Sequence, residues 1–341
     1  MEKKKITFAD IAKYTNFSKT TISRYFNDPD SLTIENQETI AKALKDLDYQ
    51  ENKLAKVFAN GKSEFVGIIV PNLYLHYYAE MLNQILNTYE SFGYKFLIFA
   101  GKNNEEAERK YIQELLAYKI EGMVILSHTI PSKELASYGI PIVAIEREDQ
   151  YVHSVNTDNY MGGVQATSLL LKNQCDILVH INSIVPQNVP AFGRIQGFRD
   201  TCTEHGAEYE IIQKDLGHSH QEIHACMTEL YGHIQKKYPH QKKGIFLAND
   251  THANSMLNII FREHGALPEE YRIIGFDDSP ASGQAIVPIS TVGQQIGKIA
   301  REAMEVLVML MDERKKRRPK PQAELIHKHV TPILIRRETT D

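Results

Sequence analysis

Several things are scarce or missing in this 341-residue chain, and each narrows its function. Cysteine occurs three times, as Cys175, Cys202 and Cys226, an odd and widely spaced set. No pair has the spacing of a metal ligand pair or a redox motif, so the expectation is reduced, mostly buried thiols. No apolar run exceeds seven residues, too short to span a bilayer. The start MEKKKITF has cations but no apolar run behind them, which argues against a signal peptide and for a cytosolic protein. No G-x-G-x-x-G or G-x-x-x-x-G-K-[ST] phosphate loop occurs, no serine sits in a nucleophile elbow, and no carboxylate pair stands out as acid and base. An enzyme is not expected, nor any cofactor.

Net positive charge is also lacking: 39 Lys and Arg stand against 43 Asp and Glu, a net charge of −4. The distribution matters more than the sum. Residues 1–27 hold six cations against Glu2 and Asp10, whereas residues 63–341 hold 28 against 34 acidic residues. A positive field confined to one end suits a nucleic-acid-binding head on an acidic body. The length predicts two or three domains.

The basic end, TFADIAKYTNFSKTTISRYFN (7–27), reads as two short helices joined by a tight turn. Thr7 caps the first, with Phe8, Ile11 and Ala12 on one face. Asn16 tolerates the left-handed turn, and Ser18 caps a second helix whose Ile22 and Phe26 point inward. The opposite face offers Lys19, Thr20, Ser23 and Arg24, a polar, basic surface that fits the DNA major groove. Asp28-Pro29-Asp30 ends that helix, and Thr33 opens a third, with Ile40, Ala43, Leu44 and Leu47 at helical spacing.

Asp10-Ile11-Ala12, Ser18, Thr21-Ile22-Ser23-Arg24 and Asn27 together resemble the head of the lactose-repressor (LacI-type) family. The family's usual Ala-Gly at the turn is Thr15-Asn16 here. The resemblance implies DNA contacts from Thr7, Lys19, Thr20, Thr21, Ser23, Arg24 and Asn27. It also implies that residues 51–62 form a hinge helix lying in the minor groove when two chains pair, with Asn52, Leu54, Ala55 and Gly61-Lys62-Ser63 matching. Phe58 stands where the family has an apolar wedge, commonly Leu, and Glu51 replaces the usual Pro.

From Phe65 onward short apolar runs alternate with helical stretches: strands at 65–71, 94–100, 121–126, 140–146 and one ending near 155–159, and helices at 76–92, 104–118 and 132–138. Met81, Ile85 and Tyr89 are expected to face inward. The pattern repeats with helices at 162–173, 194–205, 220–238 and 252–264 and strands at 176–181, 209–213, 243–250, 272–278 and 290–295. A helix over 295–312 and a single strand over 329–337 close it. Two successive α/β halves predict doubly wound parallel sheets in two lobes. V-N-T-D-N-x-x-G-G (155–163), R-x-x-G-F (194–198), L-A-N-D (247–250), I-I-G-F-D-D (273–278) and T-V-G-Q (291–294) resemble the periplasmic-binding-protein-like body of the same family.

The expected organisation is α/β: a three-helix helix-turn-helix head at 1–50, a hinge at 51–62 and a two-lobe body at 63–341. The N-lobe would take about 63–160 and 293–322, the C-lobe about 161–292 and 323–341. The run Arg314-Lys315-Lys316-Arg317-Arg318-Pro319-Lys320-Pro321 reads as a solvated loop rather than a second DNA patch.

Ligands of such sheets bind beyond the strands' carboxyl ends. Ser127, Glu146, Asn249 and Asp277 fall there. The resemblance adds Arg194, the family's ligand-clamping arginine, Gln294 at the last crossover, and Tyr77 and Tyr78 in a loop that stacks on the effector. Glu146 stands where the family has Asp. His218, His220 and His224 lack a completing ligand set and read as loop histidines rather than a metal site. The expected protein is a cytoplasmic homodimeric repressor of a carbohydrate-use operon. It would bind a palindromic double-stranded operator, respond to a small effector, a neutral sugar by its donors and acceptors, and leave room for a protein co-regulator. A free sugar-binding protein and a sugar kinase are the alternatives; the head counts against the first and the missing phosphate loop against the second.

Overall fold

A computed structural model describes residues 6–50, 63–316, 318 and 324–341. Residues 51–62, with the expected hinge contacts Asn52, Ala55 and Phe58, lie outside them. The chain divides into two units, residues 1–62 and 63–341.

The head is three helices, α1 (Phe8–Thr15), α2 (Lys19–Asn27) and α3 (Ile34–Asp46). Its start and stop signals work as the residues imply. The Thr7 hydroxyl and amide both donate to the Asp10 carboxylate, at 2.6 and 2.9 Å. Asn16 adopts φ 56°, which ends α1. Ser18 Oγ accepts from the Thr21 amide at 3.0 Å, satisfying one of the donors that a helix start leaves unpaired. Ile11, Ile22 and Ile40 are fully buried, one from each helix, and Phe8 stacks on Phe26 with ring centroids 5.2 Å apart.

The body contains two six-stranded sheets. Strands β1 (Phe65–Val70), β2 (Lys95–Ala100), β3 (Gly122–Ile125), β4 (Ile142–Ile145) and β5 (His153–Thr157) belong to the first. Strands β6 (Ile177–Asn182), β7 (Tyr209–Gln213), β8 (Lys243–Leu247), β9 (Tyr271–Asp277) and β10 (Ser290–Gly293) belong to the second. The near-continuous apolar strands are those of parallel sheets covered on both faces.

The end of the chain departs from the sequence reading. The single strand expected at 329–337 is two, β11 (His327–Val330) and β12 (Ile333–Ile335). β11 pairs parallel with β5 in the first sheet; β12 pairs antiparallel with β10 in the second. Pro332 lacks the amide a ladder needs, so the chain changes sheets there. Residues 327–330 therefore join the first lobe, not the second as expected. The chain crosses between lobes three times: after β5, after β10, and between β11 and β12.

Two smaller corrections concern helices and thiols. The helix expected over 76–92 breaks at Thr88 into His76–Asn87 and Tyr89–Phe92, which turns Tyr89 outward while Met81 and Ile85 stay fully buried. All three cysteines are free, but only Cys202 is buried.

The helix Ile296–Lys315 returns to cover the first sheet, with Ile299, Ala303, Leu307 and Met311 packed against Val66, Ile68 and Val124. In the second lobe the helices Asn159–Lys172 and Phe192–Glu204 cross at backbone contact. A Cβ on Gly163 would lie 2.4 Å from the Arg194 carbonyl oxygen, and one on Gly197 would lie 2.2 Å from that of Tyr160. The paired glycine motifs thus serve a close crossing that sets where Arg194 stands.

Candidate effector site

The carboxyl ends of β4, β5, β9 and β10 meet between the lobes, and there the side chains form one hydrogen-bonded cluster. Glu146, just past β4, accepts from the Thr157 amide at 3.0 Å and from Asn159 Nδ2 at 2.9 Å. Its backbone is left-handed, φ 58°, so the side chain turns back to the end of β5. Arg194 donates from Nε to Asn159 Oδ1 and from one terminal nitrogen to the Ala248 carbonyl, both at 2.7 Å. Its other terminal nitrogen stands 4.0 Å from Glu146 Oε2, and its guanidinium lies 3.7 Å over the Phe276 ring. Gln294 donates to Asp277 Oδ1 at 2.6 Å and accepts from the Thr157 hydroxyl at 2.7 Å. The result is a continuous polar bridge between the lobes.

Asp277 ends β9 with φ 112°. Burial pushes its carboxyl well above the usual carboxylate range; Arg194 opposes that shift, while Asp250 and Glu146 add to it. Beneath it, Asp250 is fully buried and holds the strained turn in place. Its Oδ2 accepts from the Ser279 amide at 2.7 Å and hydroxyl at 3.1 Å, and its Oδ1 accepts from Thr291 at 2.6 Å. Burial raises the Asp250 carboxyl to about 7. A carboxyl raised by folding contributes stability that is full below the unfolded value and lost as pH rises through the folded one. Asp250→Asn should therefore flatten the fall in thermal midpoint between about pH 4 and pH 7. An unchanged slope in calorimetric melts across that range would contradict this assignment.

Tyr77 and Tyr78 lie on the first turn of the helix His76–Asn87, their rings edge to face at 5.3 Å. Tyr77 is buried and its hydroxyl has no hydrogen-bond partner among the described residues. Burial, reinforced by the negative charge of Glu146 and Asp277, raises both phenols. The preceding loop bridges to the other lobe: His76 Nδ1 is 3.1 Å from Thr251 Oγ1, and Tyr74 donates to the Gly217 carbonyl at 3.4 Å.

Two expected site residues are otherwise engaged. Ser127 donates to Glu108 at 2.5 Å, and its carbonyl accepts from the buried Arg147, in a network inside the first lobe. Asn249 accepts from the His252 amide at 2.9 Å as the cap of the helix Asp250–His264. Sequence reasoning missed Thr157, Asn159, Asp250 and Phe276, although each lies inside a motif it had singled out. In the head, Lys19, Thr20 and Arg24 are exposed on α2, Thr21 and Ser23 are half-buried, and the Asn27 carboxamide donates to the Ser23 carbonyl at 3.0 Å.

A helix-turn-helix head followed by a two-lobed body with a buried polar cluster between the lobes is the architecture of a DNA-binding regulator. Residues 7–52 match the model of bacterial regulatory proteins of the lacI family, and residues 175–340 match the periplasmic binding protein-like domain. Residues 7–52 thus carry a DNA-binding head of the lacI family, and the chain is similar over most of its length to transcriptional repressors. It is 25% identical to a ribose operon repressor of Halalkalibacterium halodurans, over 90% of this chain and 91% of that one. It is 28% identical to a sucrose operon repressor of Streptococcus mutans, over 89% and 92% respectively. Among solved structures, the lac repressor dimer bound to operator and the anti-inducer ONPF shares the fold with a TM-score of 0.82. That match has 18% identity and covers 99% of both chains. These relatives are repressors, not enzymes. Among the described residues no helix is long and apolar enough to cross a membrane.

Proposed function

We propose that the protein is a dimeric repressor of a carbohydrate-use operon whose operator affinity is set by a neutral sugar bound between the lobes. The observation that carries this reading is the cluster of Glu146, Arg194, Asp277 and Gln294, built from both lobes beside the crossover segments. The guanidinium is already engaged by Asn159 and the Ala248 carbonyl and stands beside Glu146, which leaves little free positive charge to hold an anionic ligand in a partly dry site. A polyhydroxyl ligand donates to Glu146 and Asp277 and accepts from Arg194, with Tyr77 and Tyr78 against its C–H face. The bridge Thr157–Gln294–Asp277 already joins the lobes, so a ligand that replaces its bonds changes the balance between lobe arrangements. Asn249 and Ser127 contribute by holding the cleft's frame. The names of the ribose and sucrose operon repressors support the carbohydrate class.

In this reading Lys19, Thr20 and Arg24 read base edges, Thr7, Thr21, Ser23 and Asn27 fix the head on the backbone, and Asn52, Ala55 and Phe58 act in the minor groove. Isothermal titration with a panel of sugars and their phosphates tests the ligand class: tight binding of a sugar phosphate and none of its parent sugar would sink it. Arg24→Ala tests the docking. It should cost about 1–3 kcal/mol of specific affinity and relax preference at one base pair. Fluorescence anisotropy with single-base operator variants reads the change, and an unaltered preference rules that docking out.

A further inference from the structure

We propose that the basic C-terminal end of the helix Ile296–Lys315, expected from sequence to be a solvated loop but helical through Lys315, is a second DNA-contacting surface, which binds the phosphate backbone of duplex flanking the operator. This rests on the DNA-binding reading above and adds to it a surface outside the head.

The strands of the first lobe give it two distinct ends. The polar cluster lies at the carboxyl ends of β4 and β5, whereas β1 starts at the opposite end, directly after the linker that leads to the head. The helix C-terminus lies at that opposite end. Arg314 lines a cavity of about 330 Å³ with Pro141 and Ile142 at the start of β4 and His153 at the start of β5. Lys315 pairs with Glu121 at 2.7 Å, and Glu121 in turn accepts from the Glu64 amide at 2.8 Å. Lys119 belongs to the same end, its carbonyl accepting from the Ser63 hydroxyl at 2.6 Å. The cationic helix end is thus two hydrogen-bonded steps from the first residues after the linker.

Charge points the same way. Arg314, Lys316 and Arg318 are exposed, and Lys95 and Lys119 add two more cations at this end. The facing carboxylates are Glu64, which pairs with Lys95; Glu121 and Asp312, which pair with Lys315; and Glu313, which pairs with Lys316. A helix terminus gains from one or two cations against its dipole, fewer than this end supplies. The rest of the body is acidic, so a polyanion approaching it is attracted to this end and repelled elsewhere.

The test is a salt titration of binding to a palindromic duplex that the wild-type chain selects from a random library. Two versions are used, one trimmed to the operator and one with an extra helical turn on each side. The variant Arg314→Gln/Lys316→Gln/Arg318→Gln changes exposed side chains only and should keep the wild-type melting midpoint. On the flanked duplex its slope of log affinity against log salt should fall by about 0.9 for each phosphate the variant leaves unneutralised. On the trimmed duplex the slope should match wild type, and base preference should be unchanged on both. Equal slopes for variant and wild type on the flanked duplex overturn the inference while leaving the regulator reading intact. A wild-type chain that selects no duplex overturns both.

Discussion

Replacing Arg194 by alanine is expected to abolish sugar binding and to lower the stability of the body by about 3–5 kcal/mol, the cost of leaving a buried charge without its partner. The guanidinium ties Asn159 to the Ala248 carbonyl, lies over Phe276, and is the cation nearest Glu146 in the cleft. Without it Glu146 and Asp277 share a buried space with no positive charge between them. Arg194→Lys should not rescue binding, because a single ammonium cannot make the forked contacts to Asn159 and Ala248 together. Operator binding in the absence of sugar should persist in both variants. Calorimetric titration with whichever sugar binds the wild type gives the answer: affinity of the alanine variant within tenfold of wild type would remove Arg194 from the site.

Gly197→Ala should be nearly as damaging although it adds one methyl group. The new Cβ would stand 2.2 Å from the Tyr160 carbonyl oxygen and 2.9 Å from the Val164 amide nitrogen, both backbone atoms that cannot swing aside. The two helices must separate, at a cost of about 3 kcal/mol, the upper end of ordinary overpacking. Arg194 lies one turn away on the same helix, so sugar affinity should fall at least tenfold as its reach to Asn159 is lost. Gly232→Ala is the matching control. Its Cβ would meet nothing within 4 Å in the helix His220–Lys237, so the change should stabilise that helix by up to about 1 kcal/mol. Equal melting midpoints for the two variants would show that the helix crossing is not tight.

Much of this was legible because local signals agreed with the global pattern. Thr7, Asn16 and Ser18 mark the head's helix ends by chemistry that acts within three or four residues. The alternation of apolar strands and amphipathic helices gave both sheets their central members. What escaped was set by long-range geometry. The split of β11 from β12 depends on which sheet edge is open on either side of Pro332, and β5 and β10 lie far away in sequence. Ser127 sits at a strand end, as expected, but the buried Glu108 and Arg147 claim it from a helix and a loop that periodicity cannot aim. Asp250 was hidden for a related reason: its partners Ser279 and Thr291 follow it by 29 and 41 residues.

The division of the last strand also bears on how the protein is made. Residues 327–335 supply an edge to both sheets, beside β5 in one lobe and β10 in the other. During synthesis the ribosome must release the residues through β11 and β12 before the sheets are complete. Until then β5 and β10 each present an unpaired ladder, the kind of surface that recruits other chains. Slow translation through the preceding helix therefore lengthens the exposure of two edges at once. A nascent chain stalled before residue 327 has no finished lobe to protect it.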